Sequence, residues 1–313
     1  MKLEPQIEKP GLYIHIPFCK QACSYCNFYF STNQASVQSL TKAICQELSI
    51  KQNFWPQRQL NSIYFGGGTP SLMPQTCIKD IFESIRKHFV YKNDIEITFE
   101  CNPDDINAAN LAFWQELGIN RLSIGIQSFI ERDLVLMNRS HNVLKAVESI
   151  ELAKSFGFNN ITIDIIYGVP GQSSKELTDN LENIVKYKIP HFSAYALTVE
   201  PKTILAHQIK GGKVKETTDE TFQAHFEIIK DFANRHNFHH YEISNFAIAG
   251  KEAVHNSNYW RGKPYIGVGP SAHSFNGEAR FWNVANNHQY IKAINLKEPF
   301  WEKEILSQVD RYN

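Results

Sequence analysis

The sequence lacks long apolar runs and has no excess of charge of either sign. No run of roughly 18 apolar residues occurs, so no membrane-spanning helix is predicted. Lysine plus arginine number 32, as do aspartate plus glutamate, and the formal net charge is +0 at pH 7. Because binding to a phosphate backbone usually depends on a basic excess, nucleic acid is not an expected partner.

A secretory signal is also lacking, since the opening residues, MKLEPQIEKPGLY, contain two prolines and no apolar core. We therefore expect a protein of the reducing cytoplasm, in which the six cysteines form no disulfide framework. Three cysteines are scattered singly, at Cys45, Cys77 and Cys101. Isolated cysteines of this kind usually behave as small buried apolar residues, and we expect that of these three.

Strand-like and helix-like segments alternate over residues 11–199. This alternation predicts an α/β fold with a parallel sheet and right-handed crossovers. Six strands are too few for a closed eight-stranded barrel, so we predict an open or partial barrel with its site at the carboxyl ends of the strands. The predicted strands span residues 11–18, 62–68, 95–101, 121–129, 160–168 and 191–199.

Two helices have recognisable ends in the sequence. Asn107 is expected to cap a short helix that Gly118 ends, and Ser173 or Ser174 to cap a later one. Beyond these the alternation stops. We therefore predict a barrel domain over residues 1–205 and a smaller, loop-rich C-terminal extension over residues 206–313.

Three cysteines lie close together after the first predicted strand, in HIPFCKQACSYCNF. Cys19, Cys23 and Cys26 form the pattern C-x3-C-x2-C, and no second pair of ligands follows, as a structural zinc site would require. Zinc with His15 as a fourth ligand and an inert group of thiols are the alternatives, although thiols in a loop are open to oxidation. An iron–sulfur cluster held by three thiolates fits better, because a cubane of four irons then keeps one iron open for a non-protein ligand.

Polar residues and glycines occur where the predicted strands end. The motif GGGTP, residues 66–70, ends the second strand, and its glycines would let the backbone approach a ligand closely. Polar side chains in apolar strands are costly without a partner, so such residues often line a site. The other candidates are Thr69, Glu100, Gln127, Arg139 and Asp164. The alternatives are ordinary structural hydrogen bonds and, for Arg139, a solvated charge on a helix.

With these motifs the chain resembles the radical S-adenosylmethionine (SAM) superfamily. The resemblance implies a partial (β/α)6 radical SAM barrel and a [4Fe–4S] cluster whose open iron chelates the amino and carboxylate groups of SAM. It also implies that an electron from the reduced cluster cleaves the sulfonium to a 5′-deoxyadenosyl radical. On this basis Cys19, Cys23 and Cys26 are the predicted cluster ligands, and the GGGTP loop receives the SAM amino group.

Further motifs resemble the oxygen-independent coproporphyrinogen III oxidase-like branch over nearly the whole chain. They are LYIHIPFC, YFGGGTPS, SIGIQSF, DIIYGVPGQ and YIGVGPSAHSF. For Tyr13 and Tyr25 the resemblance is the only argument, and aromatic packing is the alternative. The SAM contacts that the resemblance implies are Tyr13, Tyr25, Gly67, Gly68, Thr69, Glu100, Gln127, Arg139 and Asp164.

That branch contains two functions, and the sequence resembles the heme chaperones more than the oxidases of porphyrin biosynthesis. The oxidases carry a further cysteine where this chain has Phe28, and the chaperones carry an H-N-x-x-Y-W motif, here HNSNYW at 255–260. A neutral imidazole is a good axial ligand for heme iron, and flat apolar rings suit a porphyrin face. His255 is therefore the predicted heme ligand, beside Tyr259 and Trp260, unless the motif is a structural loop.

The resemblance implies heme as a bound cofactor and a heme-acceptor protein, such as a membrane respiratory enzyme, as partner. An oxygen-independent coproporphyrinogen III oxidase or another radical SAM enzyme acting on a tetrapyrrole is the alternative. Further candidate heme ligands are His239, His240 and His273. The resemblance also implies another small domain after LSQVDRYN, so a chain that ends at Asn313 is expected to be a fragment or a short form.

Overall fold

The structure is a computed structural model that describes residues 8–56 and 58–307. The described residues contain twelve strands: β1 (Gly11–Ile16), β2 (Ser62–Gly67), β3 (Glu96–Cys101), β4 (Arg121–Gln127), β5 (Ile161–Tyr167), β6 (His191–Ala196), β7 (His239–His240), β8 (Asn245–Ala247), β9 (Tyr265–Val268), β10 (His273–Phe275), β11 (Ala279–Asn283) and β12 (Trp301–Ile305). They also contain ten α-helices: α1 (Val37–Lys51), α2 (Gln75–His88), α3 (Ala108–Leu117), α4 (Glu131–Leu136), α5 (Val143–Ser155), α6 (Ser174–Lys186), α7 (Ile204–Lys210), α8 (Asp219–Arg235), α9 (Val254–Trp260) and α10 (Asn287–Leu296).

All strands join one sheet, whose order is β12-β11-β10-β9-β1-β2-β3-β4-β5-β6-β8-β7. Strands β1 to β6 are parallel neighbours in chain order, as strands separated by crossover helices should be. Each overlaps one predicted strand, and the sheet does not close on itself. The predicted α/β partial barrel is therefore confirmed.

The extension continues this sheet at both of its edges. Strand β9 pairs in parallel with β1, and β8 pairs antiparallel with β6. The extension is thus more regular than the predicted loop-rich segment, because strands of two to five residues are too short to produce a clear alternation. The predicted boundary at residue 205 falls inside α7, and the division into two domains stays a prediction.

Both predicted helix caps are present. The Asn107 side chain accepts a hydrogen bond from the backbone of Asn110 at the start of α3, and Gly118 ends that helix with a left-handed φ of 90°. Ser173 begins α6 in a reciprocal capping box with Glu176. These caps fix where each crossover helix meets the sheet.

The core lies between the parallel strands and the helices that cover them. Phe65 of β2 is buried between Phe82 of α2 and Phe99 of β3, with ring centroids 5.0 and 5.6 Å away. Truncating such a residue to alanine costs about 3–5 kcal/mol of unfolding free energy. Of the isolated cysteines, Cys77 and Cys101 are buried as expected, whereas Cys45 is only half-buried. None of the helices in the described ranges has the length and apolar character needed to cross a membrane.

Candidate functional site

A cavity of about 680 Å³ lies at the carboxyl ends of the parallel strands. The loops after β1 and β2 form one wall, and the ends of β3 to β6 form the other. Every residue predicted to bind the cluster or SAM lines this cavity: Tyr13, Cys19, Cys23, Tyr25, Cys26, Gly67, Gly68, Thr69, Glu100, Gln127, Arg139 and Asp164. The structure thus brings together residues that are up to about half the chain apart in sequence.

The cysteine loop is held against neighbouring elements by its backbone. Cys19 donates its N–H to the carbonyl of Ser31 across 3.1 Å, and Ser24 donates to the carbonyl of Met137 across 3.0 Å. The three thiols are free and half-buried at the cavity wall. A fixed loop that leaves its thiols open to one cavity is the arrangement that a bound cluster needs.

Two polar groups contact the thiols. The Thr69 hydroxyl lies 3.7 Å from the sulfur of Cys19, and the Arg139 guanidinium lies 3.2 Å from the sulfur of Cys23. Burial raises the pKa of the Cys19 thiol to about 11, and it also raises the pKa of Cys26. The thiols of Cys19 and Cys26 are therefore protonated until a metal displaces their protons, so that binding of a cluster there releases protons.

The described residues contain no group of three His, Cys, Asp or Glu side chains close enough to hold a single metal ion. In a cubane each thiolate binds a different iron, so three cluster ligands surround a common volume instead of meeting at one point. This finding and a three-thiolate cluster are compatible.

The glycines of GGGTP leave space that a side chain would fill. Gly67 has a φ of +111°, and a Cβ atom there would lie 2.6 Å from the ring of His15. A Cβ on Gly68 would lie 2.7 Å from the carbonyl oxygen of Phe18. Because backbone atoms cannot yield as a flexible side chain does, the end of β2 must be glycine for the cysteine loop to approach it.

Two half-buried carboxyl residues, Glu100 and Asp164, face the cavity. Glu100 accepts hydrogen bonds from the Tyr64 hydroxyl across 2.6 Å and from the Gly67 N–H across 3.1 Å. Burial, helped by nearby Asp164, raises the pKa of Glu100 to about 7. Burial also raises the pKa of Asp164 to about 6, opposed by Ser193, Arg121 and Arg139. A cation in the cavity would favour the ionised form of both groups.

Arg139 is held with its guanidinium towards the cavity. It donates to the side-chain oxygen of Asn102 across 2.8 Å and to the carbonyl of Gly125 across 2.9 Å, and its third contact is Cys23. This is not the solvated helix charge that sequence left as an alternative. Gln127, which also lines the cavity, has a left-handed φ of 67° where the pairing of β4 with β5 shifts register.

Three residues at the site were not singled out as binding residues from sequence. Asn102 bridges Arg139 and the Thr69 hydroxyl, and its place directly after β3, in FECNP, is a signal that could have identified it. Tyr64 has no such signal, because it occupies an ordinary position within β2. His15, weighed only as a zinc ligand, also lines the cavity; its Nδ1 meets the Tyr13 hydroxyl at 3.0 Å, and its Nε2 has no protein partner within the described residues.

The HNSNYW motif does not reach this cavity. It forms α9, and the His255 ring lies beside Gly11 and Ser62, the first residues of β1 and β2. His255 therefore occupies the amino end of the barrel, opposite the cysteine loop. Burial lowers the pKa of its imidazole to about 3, helped by Arg121. The other candidate histidines, His239, His240 and His273, are exposed on β7 and β10.

Comparison with known proteins agrees with this geometry. Residues 13–184 match the model of the radical SAM superfamily. The chain is 36% identical over 288 residues to the heme chaperone HemW of Bacillus subtilis (strain 168), with 91% of this chain and 76% of that protein covered. It is 34% identical over 311 residues to the mitochondrial radical S-adenosyl methionine domain-containing protein 1 of Danio rerio, with 98% of this chain and 69% of that protein covered.

Among solved structures, coproporphyrinogen III oxidase from Escherichia coli superposes with a TM-score of 0.84 at 23% identity, covering 97% of this chain and 73% of the oxidase chain. At that identity the likeness shows the fold alone. The fold, the cavity and the family match define a radical SAM protein. The chain belongs to the radical SAM superfamily and, within it, to the HemW heme chaperone family. Membership of the superfamily implies a [4Fe–4S] cluster and SAM as cofactors.

Proposed function

We propose that this protein is a heme chaperone, which captures heme and passes it to an acceptor protein. The observation that carries the proposal is its identity to curated heme chaperones, 31–36% over more than nine tenths of the chain in the first three relatives. The HNSNYW motif and Phe28 support it. The proposed acceptor is a heme protein such as a membrane respiratory enzyme, and the proposed setting is a reducing cytoplasm, where the free thiols would stay available to iron.

Cys19, Cys23 and Cys26 are the proposed cluster ligands, since all three open onto one cavity. A bound cluster would supply a redox-active centre with one iron open to SAM. The chain supplies the rest of the site. The proposed contacts are Arg139 with the SAM carboxylate, and Glu100 and Asp164 with the cationic part of the molecule.

Other residues would complete the SAM pocket. Gly67 and Gly68 leave the backbone of β2 open to close approach, and Thr69 offers a hydroxyl beside Cys19. Gln127 sits on the opposite wall at the end of β4, and the half-buried rings of Tyr13 and Tyr25 line the pocket. These rings and the tightly packed backbone would exclude water from the bound sulfonium.

His255 is the proposed axial ligand of heme. Its lowered pKa keeps the imidazole neutral at physiological pH, which is the form that binds iron. Trp260, 56% exposed on the same helix, offers a flat apolar surface for a porphyrin face.

The test is a heme titration of protein with reconstituted cluster, followed by the Soret band. We expect saturable binding of about one heme per chain, because one axial histidine serves one iron. His255→Ala should lose this binding while its cluster absorbance is unchanged. The control is His273→Ala, which removes an exposed histidine and should bind as the wild type does. Equal titrations for His255→Ala and the wild type would contradict the assignment.

The alternative is an enzyme that acts on a tetrapyrrole, as the fold of coproporphyrinogen III oxidase permits. The observation against it is Phe28, which lines the cavity and is 73% exposed where the oxidases carry a cysteine. Anaerobic protein supplied with SAM, reductant and coproporphyrinogen III distinguishes the two functions. A decarboxylated product would favour the enzyme.

A further inference from the structure

The proposed heme ligand is enclosed in this structure. His255 is 2% exposed, its Nδ1 lies 2.8 Å from the Ser62 hydroxyl, and its Nε2 lies 2.8 Å from the Tyr259 hydroxyl. In either tautomer of the ring, one nitrogen donates a hydrogen bond and the other accepts one. No ring nitrogen is therefore free for iron, and a macrocycle as wide as heme cannot enter the space around the ring.

The helix that carries His255 is fastened to the barrel at its first turn. Ala253 precedes α9 and offers no side-chain cap. Instead Glu96, the first residue of β3, accepts the N–H groups of Val254 and His255 across 3.0 and 3.1 Å. Arg121, buried at the start of β4, lies 3.8 Å from the same carboxylate. The Glu96 carboxylate, itself paired with Arg121, thus takes the place of a local cap, so α9 depends on the barrel for its position.

The barrel has a matching space for the imidazole. A Cβ atom on Gly11 would lie 2.9 Å from Cε1 of His255 and 2.9 Å from the Ser62 oxygen, so glycine at the start of β1 makes room for the ring. The Tyr64 ring closes the other side, with centroids 5.2 Å apart and planes 31° apart. His255 therefore fills the amino end of the barrel as a core side chain would.

We propose that α9 is a plug: it stores His255 in a closed position, and heme capture requires α9 to withdraw from the amino end of the barrel. This rests on the proposed function and states how access to that site is controlled. Only the open fraction of molecules can bind, so the apparent dissociation constant for heme rises as that fraction falls. Weakening the closed state must then strengthen heme binding, which is the opposite of what a merely structural contact predicts.

Ser62→Ala tests this directly, because Ser62 belongs to neither the proposed heme contacts nor the SAM site. The variant leaves Nδ1 of His255 without a partner only when α9 is closed. An unmade buried hydrogen bond shifts the closed–open balance about fivefold or more, so heme should bind about fivefold more tightly. The control is Ser149→Ala, which removes a buried serine hydroxyl from α5 and should leave heme affinity unchanged.

The rate of heme uptake gives a second test of whether α9 must open before heme binds. If opening precedes binding, the observed rate of heme uptake reaches a plateau as heme concentration rises, and Ser62→Ala raises that plateau. Gly11→Ala, whose new methyl group displaces the ring, should act in the same direction and more strongly. Amide hydrogen exchange of residues 254–260 without heme should be faster in Ser62→Ala than in the wild type, which tests the plug even if Gly11→Ala folds poorly.

The outcomes separate the plug from the proposed function. Suppose that His255→Ala abolishes heme binding while Ser62→Ala binds with wild-type affinity, exchanges at the wild-type rate and shows no plateau. The ligand assignment then stands, and the plug is wrong. If His255→Ala binds heme as the wild type does, the ligand assignment itself fails, and with it the reason for opening α9.

Discussion

The rings of Tyr64 and His255 lie against each other in a tilted arrangement, with centroids 5.2 Å apart and planes 31° apart. The hydroxyl of the same tyrosine donates to Glu100 at the cavity, across 2.6 Å. Tyr64 thus separates the proposed SAM pocket from the proposed heme ligand and contacts both. A change at either site reaches this side chain directly.

Replacing Tyr64 by phenylalanine should affect the two sites differently. Tyr64→Phe keeps the ring against His255 but removes a hydrogen bond that stabilises ionised Glu100, so the pKa of Glu100 rises further. We expect SAM affinity at pH 7 to fall about threefold to tenfold, since one hydrogen bond to a charged group is lost. Equilibrium SAM binding and heme titration of the same variant check this; an unchanged SAM affinity would contradict it.

The affinity for SAM should depend on pH because two carboxyl groups of the proposed pocket have raised pKa values, about 7 for Glu100 and about 6 for Asp164. Below these values the groups carry protons that a cation must displace. Affinity should therefore rise as pH increases from 5.5 to 8 and level off once both groups are ionised. Calorimetry at pH 6.5 in two buffers should detect proton release on binding, and Glu100→Gln should reduce it.

The Arg139 guanidinium should contribute far more to SAM affinity than the guanidinium of Arg132 does. Arg139→Gln removes a positive charge beside Cys23 and the cavity, and we expect SAM affinity to fall about tenfold or more. Arg132→Gln is the matched control, because Arg132 lies on α4 and is half exposed in ion pairs with Asp133 and Glu176. Similar losses in both variants would indicate a general charge effect instead of a specific contact.

Loss of a cysteine at the cavity should reduce the iron content of the reconstituted protein, whereas loss of a cysteine elsewhere should not. Cys23→Ala should lose most of the iron and the visible absorbance of the reconstituted protein, because two thiolates leave the cubane without a third anchor. Cys77→Ala changes a buried cysteine on α2 that lies outside the cavity. It should cost about 1 kcal/mol of stability and keep full iron content. Full loading of Cys23→Ala would show that this thiolate is not a ligand.

The sequence was sufficient to predict the barrel and many of the residues around the cavity, although not Asn102, Tyr64 or the place of His15 there. Strand–helix alternation placed β1 to β6, and parallel strands necessarily bring their carboxyl ends to one side of the sheet. Cys19, Glu100 and Asp164 could therefore be assigned to one site although they belong to different strands and loops. Their protonation could not be predicted, because it depends on burial and on neighbours such as Tyr64.

The position of α9 could not be inferred from the motif that forms it. His255 and Ser62 are 193 residues apart in sequence, and their contact requires a glycine at position 11 to leave room for the ring. The sequence identified HNSNYW as chemically capable of binding heme, with a structural loop as the alternative. Only the packed structure shows that its histidine is buried beside the first residues of β1 and β2.

The most direct test of the central claim uses one anaerobic preparation with cluster and SAM, divided in two. One half receives heme and then an excess of an apo-globin, and the other receives reductant and coproporphyrinogen III. If the protein is a heme chaperone, the Soret band moves from this protein to the globin, the heme is chemically unchanged, and coproporphyrinogen III is recovered intact. Conversion of coproporphyrinogen III, together with no saturable heme binding, would contradict the account.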